Sequence, residues 1–301
     1  MQQELMHSPA KQLERRSETM PPAIYPASSH LCIGVLLAPP PVQLLDLAPA
    51  DLFHMLSKEY LDPFPILPQA IKNLAIHKVE IYYIADTEDA SLHTHNGSQL
   101  APLTANMSIR VTANLSTREV QPGQLSILVI PGPDPASTPS EAYKSFMQSH
   151  ASCGTTDIIT VCTGIFPTCH SGICDGRTVT GPRGLLPDLR TKFKAVKAFE
   201  DKRWTHCKME SPADRSKSPK AQTAPSERPA ELWTAAGITN GNDCVAAYIK
   251  AHFNQEFAEI VCRMADVGDR SRDYETGQVA EGMWWVTRIL RAVVKGLWRK
   301  D

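Results

Sequence analysis

The side chain best placed for covalent chemistry is the thiol of Cys162. It directly follows an apolar run over residues 157–161 that predicts a buried strand, and a helix is predicted to begin near Gly164. A turn of this kind exposes a nucleophile at the top of a sheet. Amide groups at the start of the helix favour the thiolate, which predicts a thiol pKa below the usual value of about 8.5. The alternative is a buried structural cysteine.

Asp46 is the second candidate, because it is a carboxyl among apolar neighbours. Leu44, Leu45 and Leu47 flank it, and such surroundings raise a carboxyl pKa enough for it to carry a proton near neutrality. Asp46 also lies just before a helix predicted over residues 47–56, where an aspartate commonly caps the helix N-terminus. The sequence leaves both roles open.

The elements around these residues alternate between strand and helix. Strands are predicted at residues 33–38, 79–85, 126–130 and 157–161, and helices at 47–56 and 141–149. This order indicates an α/β fold with a doubly wound, mostly parallel sheet and helices on both faces. Ligands of such sheets bind beyond the carboxyl ends of the strands. Cys162 and Gly132 both follow strand ends, so one site built from two strand tips is predicted.

Composition excludes several classes of function. The chain has 301 residues, of which 42% are hydrophobic, and its formal net charge of -1 gives no bulk attraction to nucleic acid or an anionic membrane. No apolar run is long enough to cross a membrane, and the N-terminus lacks a signal-peptide core, so a cytoplasmic protein is expected. Its eight cysteines are then expected to be free thiols. Cys169, His170 and Cys174 lack the spacing of a zinc site, and no metal is expected.

Four segments are predicted from composition and periodicity. Residues 1–29 form a disordered extension and residues 30–275 form the α/β domain. The proline-rich, polar stretch 208–230 is a mobile insertion that contributes nothing to the core. Residues 276–301 form an amphipathic helix. This helix is expected to pack on its own domain or on a partner subunit, with a membrane-surface helix as the alternative.

Several ordered blocks of sequence carry a resemblance to a known family. They are LLDLAPADLF at residues 44–53, LVIPG at 128–132, VCTG at 161–164 with GICDGRTVT at 172–180, and WTAAGITNGND at 233–243. Together they resemble the ThiJ/PfpI superfamily of class I glutamine amidotransferase-like proteins, and within it the isonitrile hydratase-like branch. The resemblance extends from about residue 30 to about residue 274.

The resemblance implies a flavodoxin-like fold, a homodimer, and Cys162 as the catalytic thiol. It also implies that Asp46 forms a hydrogen bond with the sulfur. One departure is that Pro133 follows Gly132 where the family often has a second glycine. Proline has no N–H, so the amides of Gly132 and Thr163 are expected to stabilise charge on a bound substrate. Gly164 completes the expected substrate-binding residues.

The activity implied is the addition of water to a small-molecule isonitrile to give an N-substituted formamide, with no organic cofactor. Thr163 follows the cysteine where related peptidases place other residues, so no adjacent Cys–His pair exists and a peptidase is disfavoured. Local spacing places none of the ten histidines beside Cys162, and His206 is kept as the nearest candidate partner of the thiol. Two alternatives stay open: a glyoxalase-like or hydrolase-like thiol enzyme, and a redox-sensing protein without catalytic activity.

Overall fold

The computed structural model of the protein describes residues 24–209 and 228–297. The strands are β1 His30–Leu36, β2 Lys78–Ala85, β3 His93–His95, β4 Ser98–Leu103, β5 Met107–Arg110, β6 Ala113–Asn114, β7 Ile127–Ile130, β8 Asp157–Thr160, β9 Thr178–Val179, β10 Ala198–Phe199, β11 Trp204–Lys208 and β12 Glu231–Ala235. The helices are α1 Ala48–His54, α2 Lys58–Leu61, α3 Gln69–Lys72, α4 Glu141–Cys153, α5 Ile165–His170, α6 Leu186–Lys192, α7 Asn240–His252, α8 Gln255–Met264 and α9 Gln278–Leu297.

Seven strands form the main sheet, in the order β11-β12-β8-β7-β1-β2-β6. All neighbouring pairs are parallel except β11 and β12, which are antiparallel. The predicted doubly wound α/β fold is therefore confirmed. The chain adds β2 on one side of β1 and later adds β7 on the other side, so the winding direction reverses between β1 and β7. Ligand sites in such sheets lie at this reversal.

Alternating side chains of the central strands build a separate core on each face of the sheet. In β7, Ile127 and Val129 belong to the core that packs against α1, α7 and α8. Leu128 and Ile130 belong to the opposite core, which packs against α4, α5 and α6. Because the central strands are buried on both faces, their sequences are continuously apolar rather than alternating. This is the pattern from which the sequence predicted them.

A small three-stranded antiparallel sheet, β3-β4-β5, was not predicted. Its first two strands are joined by Asn96 and Gly97, which both have positive φ. Asn-Gly is the dipeptide most typical of such two-residue turns, so the sequence does carry a signal for this hairpin. The strands are short and half-exposed, and their residue types gave no strand pattern.

Two of the predicted segment boundaries are wrong at their edges. Residues 1–23 lie outside the described residues, but residues 24–29 of the predicted disordered extension are ordered, with the amides of Ile24 and Tyr25 donating to the His252 carbonyl at 2.9 and 3.2 Å. The centre of the predicted insertion, residues 210–227, also lies outside the described residues. Its ends do contribute to the core, because Met209 and Ala230 are each only 2% exposed and pair through a 2.7 Å backbone hydrogen bond.

The C-terminal helix α9 is present, but the prediction that its apolar stripe packs on its own domain is wrong. Val279, Val286 and Leu290 are 79%, 58% and 59% exposed. The first turn is held to the domain by an ion pair between Arg183 and Glu281 at 3.4 Å. A partner subunit on this helix stays a prediction. Within the described ranges, the helices are all too short or too polar to cross a membrane.

Gly164, in the turn after β8, packs so closely against the loop after β7 that a larger residue should destabilise the protein. A Cβ atom there would overlap the carbonyl oxygen of Ile130 and lie 3.1 Å from the carbonyl oxygen of Pro131. We expect Gly164→Ala to lower the free energy of unfolding by about 1–3 kcal/mol, as overpacking against fixed atoms does. Gly184→Ala is the matched control, because a Cβ atom at Gly184 meets no atom within 4 Å. Urea denaturation measures both, and equal midpoints for the two variants would contradict the prediction.

Candidate active site

The backbone at Cys162 forms a sharp elbow between β8 and α5. Cys162 has a φ of 55°, in the left-handed region that non-glycine residues rarely adopt, and it begins a single 3-10 turn, Cys162–Gly164. Such a conformation costs on the order of 1–3 kcal/mol and persists only where its surroundings hold it. Here the Val161 amide donates to Ile130 O at 2.9 Å, and the Gly164 amide donates to Val161 O at 2.8 Å. The elbow presents a half-buried thiol at the carboxyl end of the sheet.

Asp46 lies near the elbow, in the segment that follows β1. It lies in a 3-10 turn, Leu44–Leu47, which precedes α1, and its side chain is completely buried. The Gln43 amide donates to Gly132 O at 2.8 Å and so attaches this turn to the loop after β7. Asp46 does not cap α1, because the N-cap position is Leu47 and no side chain caps it. The capping role that the sequence left open is therefore wrong.

The carboxyl of Asp46 is held by one hydrogen bond. The Gly132 amide donates to Asp46 Oδ2 at 2.9 Å. The other oxygen, Oδ1, is buried and has no hydrogen-bond partner among the described residues. The expected hydrogen bond between Asp46 and the Cys162 sulfur is thus replaced by one to a backbone amide. An unpartnered buried carboxyl oxygen is uncommon and often marks a functional site.

Burial sets the protonation of Asp46. It raises the pKa of the carboxyl from 3.8 to about 7, and the Gly132 amide, which favours the carboxylate, opposes this only in part. Asp46 is therefore divided between acid and carboxylate near neutral pH, as the apolar residues around it in the sequence predicted. A carboxyl in this range can both accept and donate a proton.

The predicted lowering of the thiol pKa is wrong. Burial, followed by the negative charge of Asp46, raises the pKa of Cys162 to about 12. The amides of Thr163 and Ile238 favour the thiolate but do not overcome these two effects. Asp46 consequently loses its proton first, and the pair carries a single negative charge above about pH 7. The singly charged pair can exist as a Cys162 thiol with an Asp46 carboxylate or as a thiolate with a carboxylic acid, because both arrangements hold one proton.

One of the two amides expected to stabilise charge on a substrate, that of Gly132, is engaged within the protein, and so is the amide of Gly164, the third expected substrate-binding residue. The Gly132 amide is bonded to Asp46, and the Gly164 amide is bonded to Val161. The Thr163 amide does face the sulfur, and the Ile238 amide, which the sequence did not single out, faces it as well. Ile238 lies in the 233–243 block that carries the family resemblance. Ile238 acts through its backbone N–H, which almost every residue type has, so the sequence alone could not identify it as a donor to the sulfur.

Gly132 is required by the crowding at the centre of the site. A Cβ atom at Gly132 would lie 2.6 Å from Asp46 Oδ2 and 2.9 Å from the Thr163 amide nitrogen. The Thr163 hydroxyl donates to Pro133 O at 2.6 Å and so ties the elbow to the loop after β7. The structure therefore brings Asp46, Gly132, Cys162 and Thr163 together at the tips of three adjacent strands.

Other residues considered from the sequence lie elsewhere. His206 is on β11, and its ring stacks on Trp233 with centroids 4.4 Å apart. The residues that shift the pKa of Cys162 are Asp46, Thr163 and Ile238, and His206 is not among them. Cys169 lies on α5 and Cys174 follows that helix, and both are buried in the same core. Their thiols interact with each other, which agrees with a structural role.

Comparison with known proteins identifies the fold. No protein-family model matches the sequence, and no curated protein matches it. Among solved structures, DJ-1beta of Drosophila melanogaster aligns at a TM-score of 0.52 and 13% identity, covering 79% of this chain and 99% of its own. A ThiJ/PfpI family protein of Pseudomonas syringae aligns at 0.50 and 16% identity, covering 87% of both chains.

A third structure, an AraC family transcriptional regulator of Pseudomonas putida, aligns at a TM-score of 0.51 and 10% identity, covering 79% of this chain and 100% of its own. At such identities the similarity concerns the fold and not the activity. The alignments cover nearly the whole length of two of these three chains.

The buried carboxyl predicts an unusual dependence of stability on pH. The pKa of Asp46 is higher in the folded protein than in the unfolded chain, so its stabilising contribution is complete below about pH 4 and is lost as the pH rises to about 7. We expect Asp46→Asn to remove this loss. Relative to the wild type, the variant should gain up to about 4 kcal/mol in free energy of unfolding between pH 4 and pH 8, at about 1.4 kcal/mol per pH unit.

Denaturant unfolding at several pH values measures this difference. Asp62→Asn is the matched control, because it makes the same substitution at an aspartate that is exposed to solvent. Its unfolding free energy should parallel that of the wild type. Parallel curves for Asp46→Asn and the wild type would show that the carboxyl is not destabilised by burial.

Proposed function

Because the chain has the DJ-1/ThiJ/PfpI fold, with a cysteine at its strand-to-helix elbow, we propose that it is a thiol-dependent enzyme that hydrates isonitriles to N-substituted formamides. The observation that carries the proposal is the buried Asp46 carboxyl, whose pKa of about 7 matches that of an acid–base catalyst. It acts together with the Cys162 thiol, whose pKa it raises by its charge.

The chemistry of an isonitrile suits this pair of groups. The terminal carbon of an isonitrile accepts a nucleophile and a proton on the same atom. Asp46 as carboxylate takes the thiol proton while the Cys162 sulfur bonds to that carbon, and it then delivers the same proton to the carbon. The product is a thioimidate, R–N=CH–S–Cys162, and no proton is gained or lost overall. The carboxyl oxygen that Gly132 does not hold is free for this transfer.

Water completes the reaction. Asp46, again a carboxylate, takes a proton from water as its oxygen adds to the thioimidate carbon. Asp46 delivers that proton to the nitrogen, and the carbon–sulfur bond breaks as the added hydroxyl group becomes the formamide carbonyl. The hydroxyl proton passes to the sulfur, so the N-substituted formamide leaves with the thiol restored. The amides of Thr163 and Ile238 face the sulfur and favour its anionic form, which assists its departure. The scheme consumes one water and needs no organic cofactor.

The hydrogen bonds of the site favour this reaction over attack on a carbonyl. Carbonyl chemistry places negative charge on the substrate oxygen, and that charge requires amide donors directed at it. The Gly132 amide is committed to Asp46. Addition of a thiol to an isonitrile needs a proton at the attacked carbon instead, and Asp46 supplies one. The glyoxalase-like and hydrolase-like alternatives are less well supported for this reason.

The raised pKa and partial burial of the Cys162 thiol also argue against a redox-sensing role. Oxidation by peroxide proceeds through the thiolate, so sensor cysteines generally have a low pKa and are well exposed. The pKa of Cys162 is raised to about 12 and its side chain is half-buried. These two properties favour catalysis, in which the thiolate forms only when substrate is present.

Substitution of the two reacting groups tests the proposed function. We expect the wild type to convert an aryl or alkyl isonitrile to its formamide, and Cys162→Ala to give no turnover. Asp46→Asn should lower kcat/KM by about 10²–10⁴-fold, which is the usual contribution of a general acid–base group. Cys207→Ser is the matched control, because Cys207 is also a half-buried thiol but lies on β11. NMR detection of the formamide measures the rates.

Failure of the wild type to hydrate several isonitriles would remove the proposed reaction. Consumption of methylglyoxal that is abolished in Cys162→Ala would then assign the glyoxalase-like alternative. Loss of isonitrile turnover in Cys207→Ser as well as Cys162→Ala would contradict the assignment of the nucleophile.

The pH dependence of the rate gives a separate prediction. The reactive form carries one negative charge on the pair, and it is generated when Asp46 loses its proton at about pH 7. We therefore expect kcat/KM to rise with pH through an apparent pKa near 7 and to remain level through mildly alkaline pH. In Asp46→Asn this rise should be absent from the residual rate. A rate that falls through pH 7 would show that the doubly protonated pair is the active form.

A further inference from the structure

A second cluster of reactive side chains lies at the opposite edge of the sheet from Cys162. His30 and Cys32 are on β1, and Glu80 is on the neighbouring β2. His30 Nε2 lies 2.7 Å from Glu80 Oε2 and 3.6 Å from Cys32 Sγ. Cys32 Sγ lies 4.0 Å from Glu80 Oε2. One imidazole, one thiol and one carboxylate therefore lie within 4.0 Å of one another.

The pairing of two parallel strands fixes this cluster. Residues two apart in a strand project from the same face, which brings the side chains of His30 and Cys32 together. The register of β1 with β2 pairs Cys32 with Glu80 and His30 with Lys78. All three candidate ligands thus stand on regular, hydrogen-bonded strands. A site built on strands holds its geometry more accurately than one built on loops.

The three donor types indicate a particular metal. Imidazole nitrogen, thiolate sulfur and carboxylate oxygen are together the ligand set of zinc, at bond lengths of about 2.0–2.3 Å. Tetrahedral coordination at those lengths separates the donor atoms by about 3.3–3.8 Å. The distances of 3.6 and 4.0 Å are close to this range. The shorter distance, 2.7 Å, is a hydrogen bond that a metal ion would replace.

We propose that His30, Cys32 and Glu80 form a binding site for Zn²⁺ with three protein ligands and a fourth position open to water. The side chains of His30 and Glu80 are 47% and 30% exposed, so an ion can enter from solvent. Lys78 Nζ pairs with Glu80 Oε1 at 2.6 Å and leaves Oε2, the oxygen that faces Cys32 and His30, for the ion. This site is independent of the proposed isonitrile chemistry.

Binding at this site releases a proton. His30 would bind through Nε2 as a neutral ring, with its proton on Nδ1, and Glu80 would bind as a carboxylate. Cys32 would bind as a thiolate, and the ion displaces its thiol proton as the metal–sulfur bond forms. Tyr82 also faces the site, because its hydroxyl lies 3.5 Å from Glu80 Oε2.

Titration of the full chain with Co²⁺, which replaces zinc and is coloured, tests the proposal. We expect one equivalent of Co²⁺ to produce a thiolate-to-metal charge-transfer band and the strong visible bands of four-coordinate cobalt, with one equivalent of Zn²⁺ abolishing both. Cys32→Ser should lose the charge-transfer band. His30→Ala should lose the four-coordinate spectrum, and because His30 is exposed this substitution leaves the core unchanged.

Two controls separate this site from other thiols. Cys162→Ala should keep the whole cobalt spectrum, as should Cys207→Ser. Zn²⁺ should also raise the Tm of the wild type and of Cys162→Ala, but not that of His30→Ala. A charge-transfer band that survives in Cys32→Ser, or that disappears in Cys162→Ala, would overturn the assignment. So would the absence of any cobalt spectrum in the wild type.

Discussion

The hydrogen bond from the Gly132 amide to Asp46 Oδ2 is the interaction on which the site depends. It joins the loop after β7 to the turn after β1, and it holds a fully buried carboxyl beside the thiol of Cys162. Because it satisfies only one carboxyl oxygen, it compensates for only part of the cost of burial. The pKa of Asp46 therefore stays near neutrality, and the charge of the carboxylate keeps the proton on the sulfur. A second amide donor to the carboxyl would favour the carboxylate and weaken its action as an acid.

The sheet explains why these groups meet. β1, β7 and β8 are adjacent and parallel, so the segments that follow them emerge at one edge. The reversal of winding between β1 and β7 leaves that edge uncovered by a crossover helix. Room there is limited, and glycines at 132 and 164 let three backbone segments approach one another. The amino ends of the same strands form a separate edge, where the pairing of β1 with β2 assembles His30, Cys32 and Glu80.

The sequence predicted the main elements well because the central strands are buried on both faces. Such strands are short runs rich in apolar residues, as β7 and β8 are, and both have bounds within one residue of the prediction. The bounds of β2 were predicted equally well, although only Ile84 and Ala85 of that strand are fully buried. Other elements were not predicted, namely the β3-β4-β5 sheet, the short β10, the main-sheet strands β6, β11 and β12, and the helices α2, α3, α6, α7 and α8. Of the two surfaces expected to cover α9, its own domain does not do so, because an apolar stripe does not identify the surface that packs against it.

At the site, the sequence by itself determined the identity of the chemical groups and their order: an apolar strand ending in Cys162, an aspartate among leucines, and a glycine after a strand. Tertiary structure decided their protonation and their partners. Local reasoning expected helix amides to ionise the thiol, but burial and the charge of Asp46 outweigh those amides. Burial and charge depend on residues far apart in the chain. The Gly132 amide was likewise expected to serve a substrate, and only the fold shows that Asp46 already occupies it. A residue's type is written in the sequence, whereas the solvent and charges around it exist only once the chain has folded.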